Sequence, residues 1–332
     1  MISKHNYILV TGGLGYIGSH TVVELLKLNK KVIVIDNLVN SKKTNILKIR
    51  QITKKKFLFF RIDIKEKKLD EIFKKYKINL VIHFAGLKSV TESKKKPDLY
   101  KKNNIEGTKN LINIMKKNNC LNIIFSSSAC VYDENNTPPI KETSKCNPKS
   151  PYGKTKLKIE NILKKEFKKN LGWNIIILRY FNPLGAHPSG YLSENIFKAE
   201  NIVPNIIKVF KKKKNIFQIF GDNYKTFDGT CLRDYIHVVD LAKSHISSIK
   251  ICKNKVYRVV NIGTGKPCSV RELLFGFMKY LKKEIPYKVV SRRPGDIPIS
   301  YSNIQKQLKI LKFRAKYNLR DMIKHTVNSV NL

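Results

Sequence analysis

The chain has 332 residues and a formal net charge of +42 at neutral pH, from 66 Lys and Arg against 24 Asp and Glu. That length can bury a large core, as one elaborate α/β unit or two lobes around a cleft, and it excludes a small stapled scaffold. The lysines are scattered in short runs such as Lys54–Lys56, Lys94–Lys96 and Lys211–Lys214 and greatly outnumber the arginines, so nucleic acid is disfavoured as a partner despite the charge.

From the N-terminus, a β-branched run at Tyr7–Thr11 predicts a strand, and Thr11-Gly12-Gly13-Leu14-Gly15-Tyr16-Ile17-Gly18 follows it and opens a helix over 17–29. Gly12, Gly15 and Gly18 suit a tight turn, close backbone approach to a pyrophosphate, and close packing of helix on sheet. The turn comes so early that no cleavable signal is expected ahead of it. A second strand at Lys31–Asp36 ends on a carboxylate that can hold both hydroxyls of an adenosine ribose and repel a 2′-phosphate, which favours NAD over NADP, although Lys42 and Lys43 stand nearby. Further strands are predicted at Phe57–Arg61, Leu80–Phe84, Asn122–Ser126 and Ile175–Tyr180, with helices over 66–76, 98–117 and 151–168. This alternation is that of a doubly wound parallel sheet, a Rossmann core.

Ser126-Ser127-Ser128 lies at the C-terminal end of the fifth strand, where ligands bind in open α/β sheets. Tyr152 and Lys156, four residues apart, project from one helix face. An ammonium beside a phenol, with a nicotinamide cation, favours the phenolate, and Ser128 can relay its proton. After Tyr180 the pattern fades into Gly-, Pro- and Asn-rich loops. It resumes with strands at Ile216–Phe220 and Val256–Asn261 and helices near 239–252, 269–283 and 320–330. We expect an NAD-binding domain over 1–180, whose sheet later segments near 233–262 can join, and a smaller α/β substrate-binding lobe over 181–332. The six cysteines show no metal-type spacing, so free thiols in a reducing compartment are expected. No apolar stretch approaches bilayer length, and a soluble cytoplasmic chain is the expectation.

The runs VTGGLGYIGSHT (10–21), IDNLVNS (35–41), VIHFAGLKSVTES (81–93), FSSSACVY (125–132), SPYGKTK (150–156), LRYFNPLGAHPSG (178–190) and RDYIHVVDLA (233–242) resemble, in order and spacing, the UDP-glucose 4-epimerases of the extended short-chain dehydrogenase/reductase family. The resemblance covers almost the whole chain. It implies an NAD site lined by Gly12, Gly15, Tyr16, Ile17, Gly18, Asp36, Asn37, Asn40, Ser41, Asp63, Ile64, Phe84, Ala85, Gly86, Lys88, Asn103, Ser126, Tyr152, Lys156 and Phe181. It implies Ser128, Tyr152 and Lys156 as the catalytic group. A UDP-hexose would be held by Lys88, Ser128, Tyr152, Asn182, Asn201, Ile202, Arg233, Arg293 and Asp296. Ser300 stands where relatives that take only glucose and galactose carry a bulky Tyr, so UDP-GlcNAc and UDP-GalNAc are further candidate substrates; an alignment shifted by one residue puts Tyr301 there instead. A homodimer through the helices near 98–117 and 151–168 is implied as well.

The departures are Asp133 for a common Gly, Cys231 for a Gly before Arg233, and the segment SENIFKAEN (193–201) for an acidic Gly- and Pro-containing loop. In the implied scheme Tyr152, as phenolate, takes the 4-hydroxyl proton directly or through Ser128 while hydride leaves C4 for the nicotinamide. The 4-keto sugar then turns within the site and is reduced on its other face. Two rivals share the scaffold. A 4,6-dehydratase needs an acidic pair where this chain has Ala129-Cys130; a uronate decarboxylase stays open from residue types alone, though HFAGLK and NPLGAHPSG favour the epimerase. A non-catalytic NAD- or nucleic-acid-binding protein is opposed by the joint presence of Ser128, Tyr152 and Lys156.

Overall fold

In a computed structural model, which describes residues 6–169, 172–196, 201–293 and 295–330, the first half of the chain forms β1 (Tyr7–Thr11), α1 (Tyr16–Lys27), β2 (Val32–Ile35), α2 (Asn45–Thr53), β3 (Leu58–Phe60), α3 (Leu69–Lys75), β4 (Ile78–His83), α4 (Val90–Lys95), α5 (Pro97–Tyr100), α6 (Gly107–Lys117), β5 (Asn122–Ser128), α7 (Pro151–Lys168) and β6 (Asn174–Tyr180). The second half adds β7 (Asn182–Leu184), α8 (Ile202–Phe210), β8 (Phe217–Phe220), β9 (Leu232–His237), α9 (Val238–Ile251) and β10 (Tyr257–Ile262). It ends with β11 (Pro267–Ser269), α10 (Val270–Leu281), β12 (Tyr287–Val290), β13 (Ile299–Ser300), α11 (Gln305–Leu311) and α12 (Leu319–Ser329).

Seven strands make one parallel sheet in the order β10-β6-β5-β4-β1-β2-β3. Both of its faces are covered, which is why its strands are runs of Val, Ile and Leu with no polar face. Strand alternation divides each run between two cores. Val10, Val34, Ile82 and Leu178 pack with Val22 of α1 and Leu241 of α9. Leu9, Ile33, Val81 and Ile177 pack on the other side with Leu111 of α6, Leu163 of α7 and Trp173. The order reverses between β1 and β4, where a ligand crevice opens at the carboxyl ends.

Of the later segments, Tyr257–Ile262 joins the large sheet beside β6. Leu232–His237 instead centres a second sheet with β7, β11 and β13, over a core that includes Ile206, Phe217, Leu273, Phe277 and Ile323. Asp234 ties the two layers together. Its fully buried carboxylate accepts from Thr264 N at 2.8 Å, Gly265 N at 3.1 Å and Ser302 N at 3.1 Å.

The helix predicted over 98–117 is interrupted. Between α5 and α6 the residues Lys101–Glu106 widen into a π-type turn, a form often found at functional sites. Asn104 lies inside this turn and spends its amide on Leu87, accepting from its N at 2.8 Å and donating to its O at 3.0 Å. Helices α2, α8 and α11 escape the periodicity for different reasons. Helices α2 and α11 each bury only two residues, whereas α8 is an almost unbroken apolar run with Pro204 in its first turn.

Six imidazoles are buried among these elements: His20, His83, His187, His237, His245 and His325. Burial lowers each, to about 4 for His20 and His245, to about 3 for His83, His187 and His237, and below its ordinary value for His325. In the unfolded chain a histidine titrates near 6.5. Folded values below unfolded ones mean that this stability is fully present above about pH 6.5 and lost as pH falls towards the folded values. We therefore expect the denaturant midpoint to drop steadily from pH 6.5 to 4; a midpoint level from pH 7.5 to 5 would contradict this.

Candidate active site

The glycine turn connects β1 to α1, and backbone contact explains its glycines. Gly12 has φ +65°, and a side chain there would sit 2.8 Å from Ala85 N. A Cβ on Gly18 would fall 2.3 Å from Gly12 O, so the third glycine lets α1 start against the turn. Gly15 is the N-cap of α1; no side chain caps this helix and its first turn holds no acid. An uncapped, positive helix end facing the crevice is suited to phosphate.

Asp36 follows β2 and is buried. Its carboxylate accepts from Leu14 N at 3.0 Å, Leu38 N at 2.9 Å and Ser41 Oγ at 2.8 Å. A carboxylate has about four acceptor sites, so one is open to a ribose hydroxyl, and two if Ser41 turns away. Asn37 donates to Asp63 Oδ2 at 2.9 Å, bringing those two together beside Asp36. Phe84, Ala85 and Gly86 line the crevice from the end of β4. Ile64 is buried against Gly107, and Phe181 is buried in a small cluster with Val131, Tyr132 and Ile140. Asn40 is exposed at the rim. Asn103 donates to Asn104 Oδ1 at 3.0 Å. The donors and the uncapped helix fit a dinucleotide.

On the other side of the crevice, α7 begins with Ser150 capping Gly153 N at 3.0 Å and presents Tyr152 and Lys156. Lys156 is buried; its ammonium donates to Ser126 O at 2.7 Å and lies 5.8 Å from the centre of the Tyr152 ring. Burial lowers Lys156 to about 8, which leaves it charged at neutral pH. Burial pushes the Tyr152 phenol above its ordinary range, with Ser128 opposing the shift by hydrogen bonding. The chain alone therefore disfavours the phenolate. Ser128 Oγ accepts from Cys130 N at 3.2 Å, which leaves its own proton directed at the Tyr152 phenol.

Asn182, Arg233 and Ser300 come from three strands of the second sheet. Asn182 pairs with Tyr235, and Ser300 with Arg233, all in parallel register. Side chains at such paired positions share a face, and so do positions two apart on one strand. Arg233 is held by Leu232 O at 2.9 Å and Ile297 O at 2.8 Å, and its other terminal nitrogen is 3.8 Å from Asp296 Oδ1. Arg293 is exposed and pairs with Asp296 at 2.8 Å. Two guanidiniums near one carboxylate make a ready site for a diphosphate.

Lys88 is paired with Glu194 Oε1 at 2.5 Å and stands 5.7 Å from the Tyr16 ring, whose hydroxyl donates to Gly185 O at 2.5 Å. Asn201 is the N-cap residue of α8 and donates to Glu194 at 3.1 Å, with Ile202 next to it. Of the segment 193–201, residues 197–200 lie outside the described residues. Sequence reasoning missed Asn104, which also donates to Thr155 Oγ1 at 3.2 Å and so joins the Leu87 loop to α7. The signal was weak, because Asn104 closes a polar run, Lys101-Lys102-Asn103-Asn104, inside the expected helix. Among the described residues no group of His, Cys, Asp or Glu is placed to hold a metal ion, all six cysteines are free, and no helix is long and apolar enough to cross a membrane.

The sequence matches the model of the NAD dependent epimerase/dehydratase family over residues 8–263. A UDP-glucose 4-epimerase from Dictyostelium discoideum is 46% identical over 319 residues, 95% of this chain and 93% of the relative. Among solved structures, a UDP-glucose 4-epimerase from Stenotrophomonas maltophila, with bound NAD and formylated UDP-arabinopyranose, superposes with a TM-score of 0.96 at 37% identity. One from Bifidobacterium longum, in complex with NAD+ and UDP, gives 0.93 at 41%. Each covers 98% of both chains.

Proposed function

The chain belongs to the NAD-dependent epimerase/dehydratase family, and we propose that it interconverts UDP-glucose and UDP-galactose by inverting C4 of the hexose through a 4-keto sugar. The observation that carries this reading is the meeting of Ser128, Tyr152 and a buried, charged Lys156 at the carboxyl edge of the sheet. A dehydratase lacks support because Ala129 and Cys130 occupy the positions where it needs acids.

The hydrogen on C4 of an alcohol is not acidic, so inversion requires oxidation and reduction at that carbon. NAD, when bound, supplies a hydride acceptor and then a donor for C4. Gly12, Gly15, Tyr16, Ile17 and Gly18 would hold its pyrophosphate, Asp36 its adenosine ribose, and Tyr152 and Lys156 its nicotinamide ribose. Tyr152 takes the proton of the 4-hydroxyl and later returns it, while Ser128 donates to the oxygen at C4 and relays that proton. Lys156 keeps the phenolate favourable through its charge. Lys88, Asn182, Arg233, Arg293 and Asp296 hold the UDP-sugar, the two arginines at its diphosphate, with Asn201 and Ile202 as neighbours. The hexose itself is gripped weakly, which lets its keto form turn over.

Ser300 pairs with Arg233 and therefore shares its face of the second sheet. A small side chain at this wall leaves space for an N-acetyl group. The homodimer also belongs to this reading. Leu99 is 44% exposed on an element packed against α7, but α7 also presents exposed Lys154, Lys158, Lys164, Lys165 and Lys168.

Three measurements follow. Tyr152→Phe should lower kcat by about 10²- to 10⁴-fold with NAD still bound, and Lys156→Ala should move the acid limb of the rate profile to higher pH; near-normal turnover by Tyr152→Phe removes that residue from proton transfer. Wild-type protein should also turn over UDP-GlcNAc, and Ser300→Tyr should abolish that activity while keeping UDP-galactose turnover; inactivity of the wild type on the acetylated sugar defeats the Ser300 proposal. Sedimentation should show a dimer that weakens as salt is lowered, because the lysines repel over a longer Debye length; a monomer at every ionic strength rules the dimer out.

A further inference from the structure

Behind the proton-transfer pair lies a charged cluster that the reaction scheme does not use. Glu160 follows Lys156 by four residues on α7, so the two share a helix face. It is 3% exposed, and its partner Arg179, on β6, is 6% exposed. The pair is bidentate: Arg179 Nε donates to Glu160 Oε1 at 3.0 Å and Nη2 to Oε2 at 2.6 Å. Ser127 Oγ adds a bond to Oε1 at 2.5 Å, from the strand residue next to Ser128. Beyond them the Arg179 guanidinium lies 4.8 Å over the Tyr132 ring and donates to Glu142 O at 3.3 Å.

Such a pair is costly to bury and stabilises a fold no better than well-packed apolar side chains. What it adds is geometry and charge. The links from Ser127 and Arg179 to Glu160 fix α7 against β5 and β6 one turn beyond Lys156. The bond from Lys156 to Ser126 O then fixes the same helix against the same strand one residue earlier. Tyr152 and Ser128 are thereby held in a constant relation.

We propose that Glu160, locked by Ser127 and Arg179, is a positioning residue for proton transfer: it sets the register of the helix bearing Tyr152 and Lys156 against the strand bearing Ser128, and supplies the buried anion that keeps Lys156 charged. This rests on the functional reading above. The groups facing Lys156 are Tyr152 and Glu160 on its own helix, His83 on β4, the Phe125 ring on β5 at 4.9 Å, and Cys130 after β5. His83 is kept neutral by burial. Glu160 is thus the only carboxylate among these named neighbours, and its field opposes the lowering of Lys156 by burial.

The test compares pH–rate profiles of wild type, Glu160→Gln, Glu160→Asp and the double variant Glu160→Gln/Arg179→Met, each checked for folding by circular dichroism. Removing the anion lets Lys156 lose its proton at lower pH, so Glu160→Gln should shift the alkaline limb downward by about one unit. Its kcat should fall by about 10- to 100-fold, with KM for UDP-galactose changed much less. Glu160→Asp keeps the charge on a shorter arm, so it should lower kcat while leaving that limb in place. The double variant leaves no unpaired buried charge; it should fold and still show the shifted limb, which keeps the test decisive should Glu160→Gln fail to fold. An unshifted limb and normal kcat in the folded double variant would overturn the inference and leave Glu160 a structural residue only. Absence of wild-type turnover would instead strike the functional reading itself.

Discussion

A protonated amine kept out of water beside a phenol is the constraint on which the rest of this molecule turns. Lys156 is 5% exposed, and an ammonium in that environment loses several kcal/mol of hydration unless neighbours compensate. Ser126 O accepts one of its three N–H bonds at 2.7 Å, and the Phe125 ring face adds a favourable contact at 4.9 Å. The charge survives at neutral pH, but with little margin. In the proposed reaction that charge stands beside the phenol, where little solvent screens it.

The fold supplies what this pair needs on three sides. Parallel strands place Gly12, Ala85 and Ser128 along one carboxyl edge, and the reversal of order between β1 and β4 opens the crevice there. Helix α1 points an uncapped positive end into it. The second sheet closes it from beyond, with Asn182, Arg233 and Ser300 on one face. Asp234, next to Arg233 in sequence but on the opposite face, is fully buried and holds that sheet to the loop after β10. One strand thus alternates between the proposed ligand face and structural anchorage.

Much of this was legible in the sequence, because local rules govern those parts. The glycine turn requires glycine for close backbone contact, Asp36 follows from strand length, and Tyr152 and Lys156 follow from helix periodicity. The Rossmann strands read clearly as runs of Val, Ile and Leu. The hidden features depend on partners distant in the chain. Glu160 and Arg179 look like surface charges until α7 packs on β6 and buries both, although an arginine inside the apolar run IIILRY was a visible hint. Asn104 looked like an ordinary helical residue until the Leu87 loop claimed its amide. Strand β9 was obscured because Arg233 and Asp234 place charge on both of its faces.

The most direct test of the central claim follows one hydrogen. If Tyr152 moves only the hydroxyl proton while the C4 hydrogen leaves and returns within a closed site, protein given UDP-galactose deuterated at C4, with no NAD added, should yield UDP-glucose that keeps its deuterium at C4 in ordinary water. Loss of the label to solvent, or no conversion, would contradict the account.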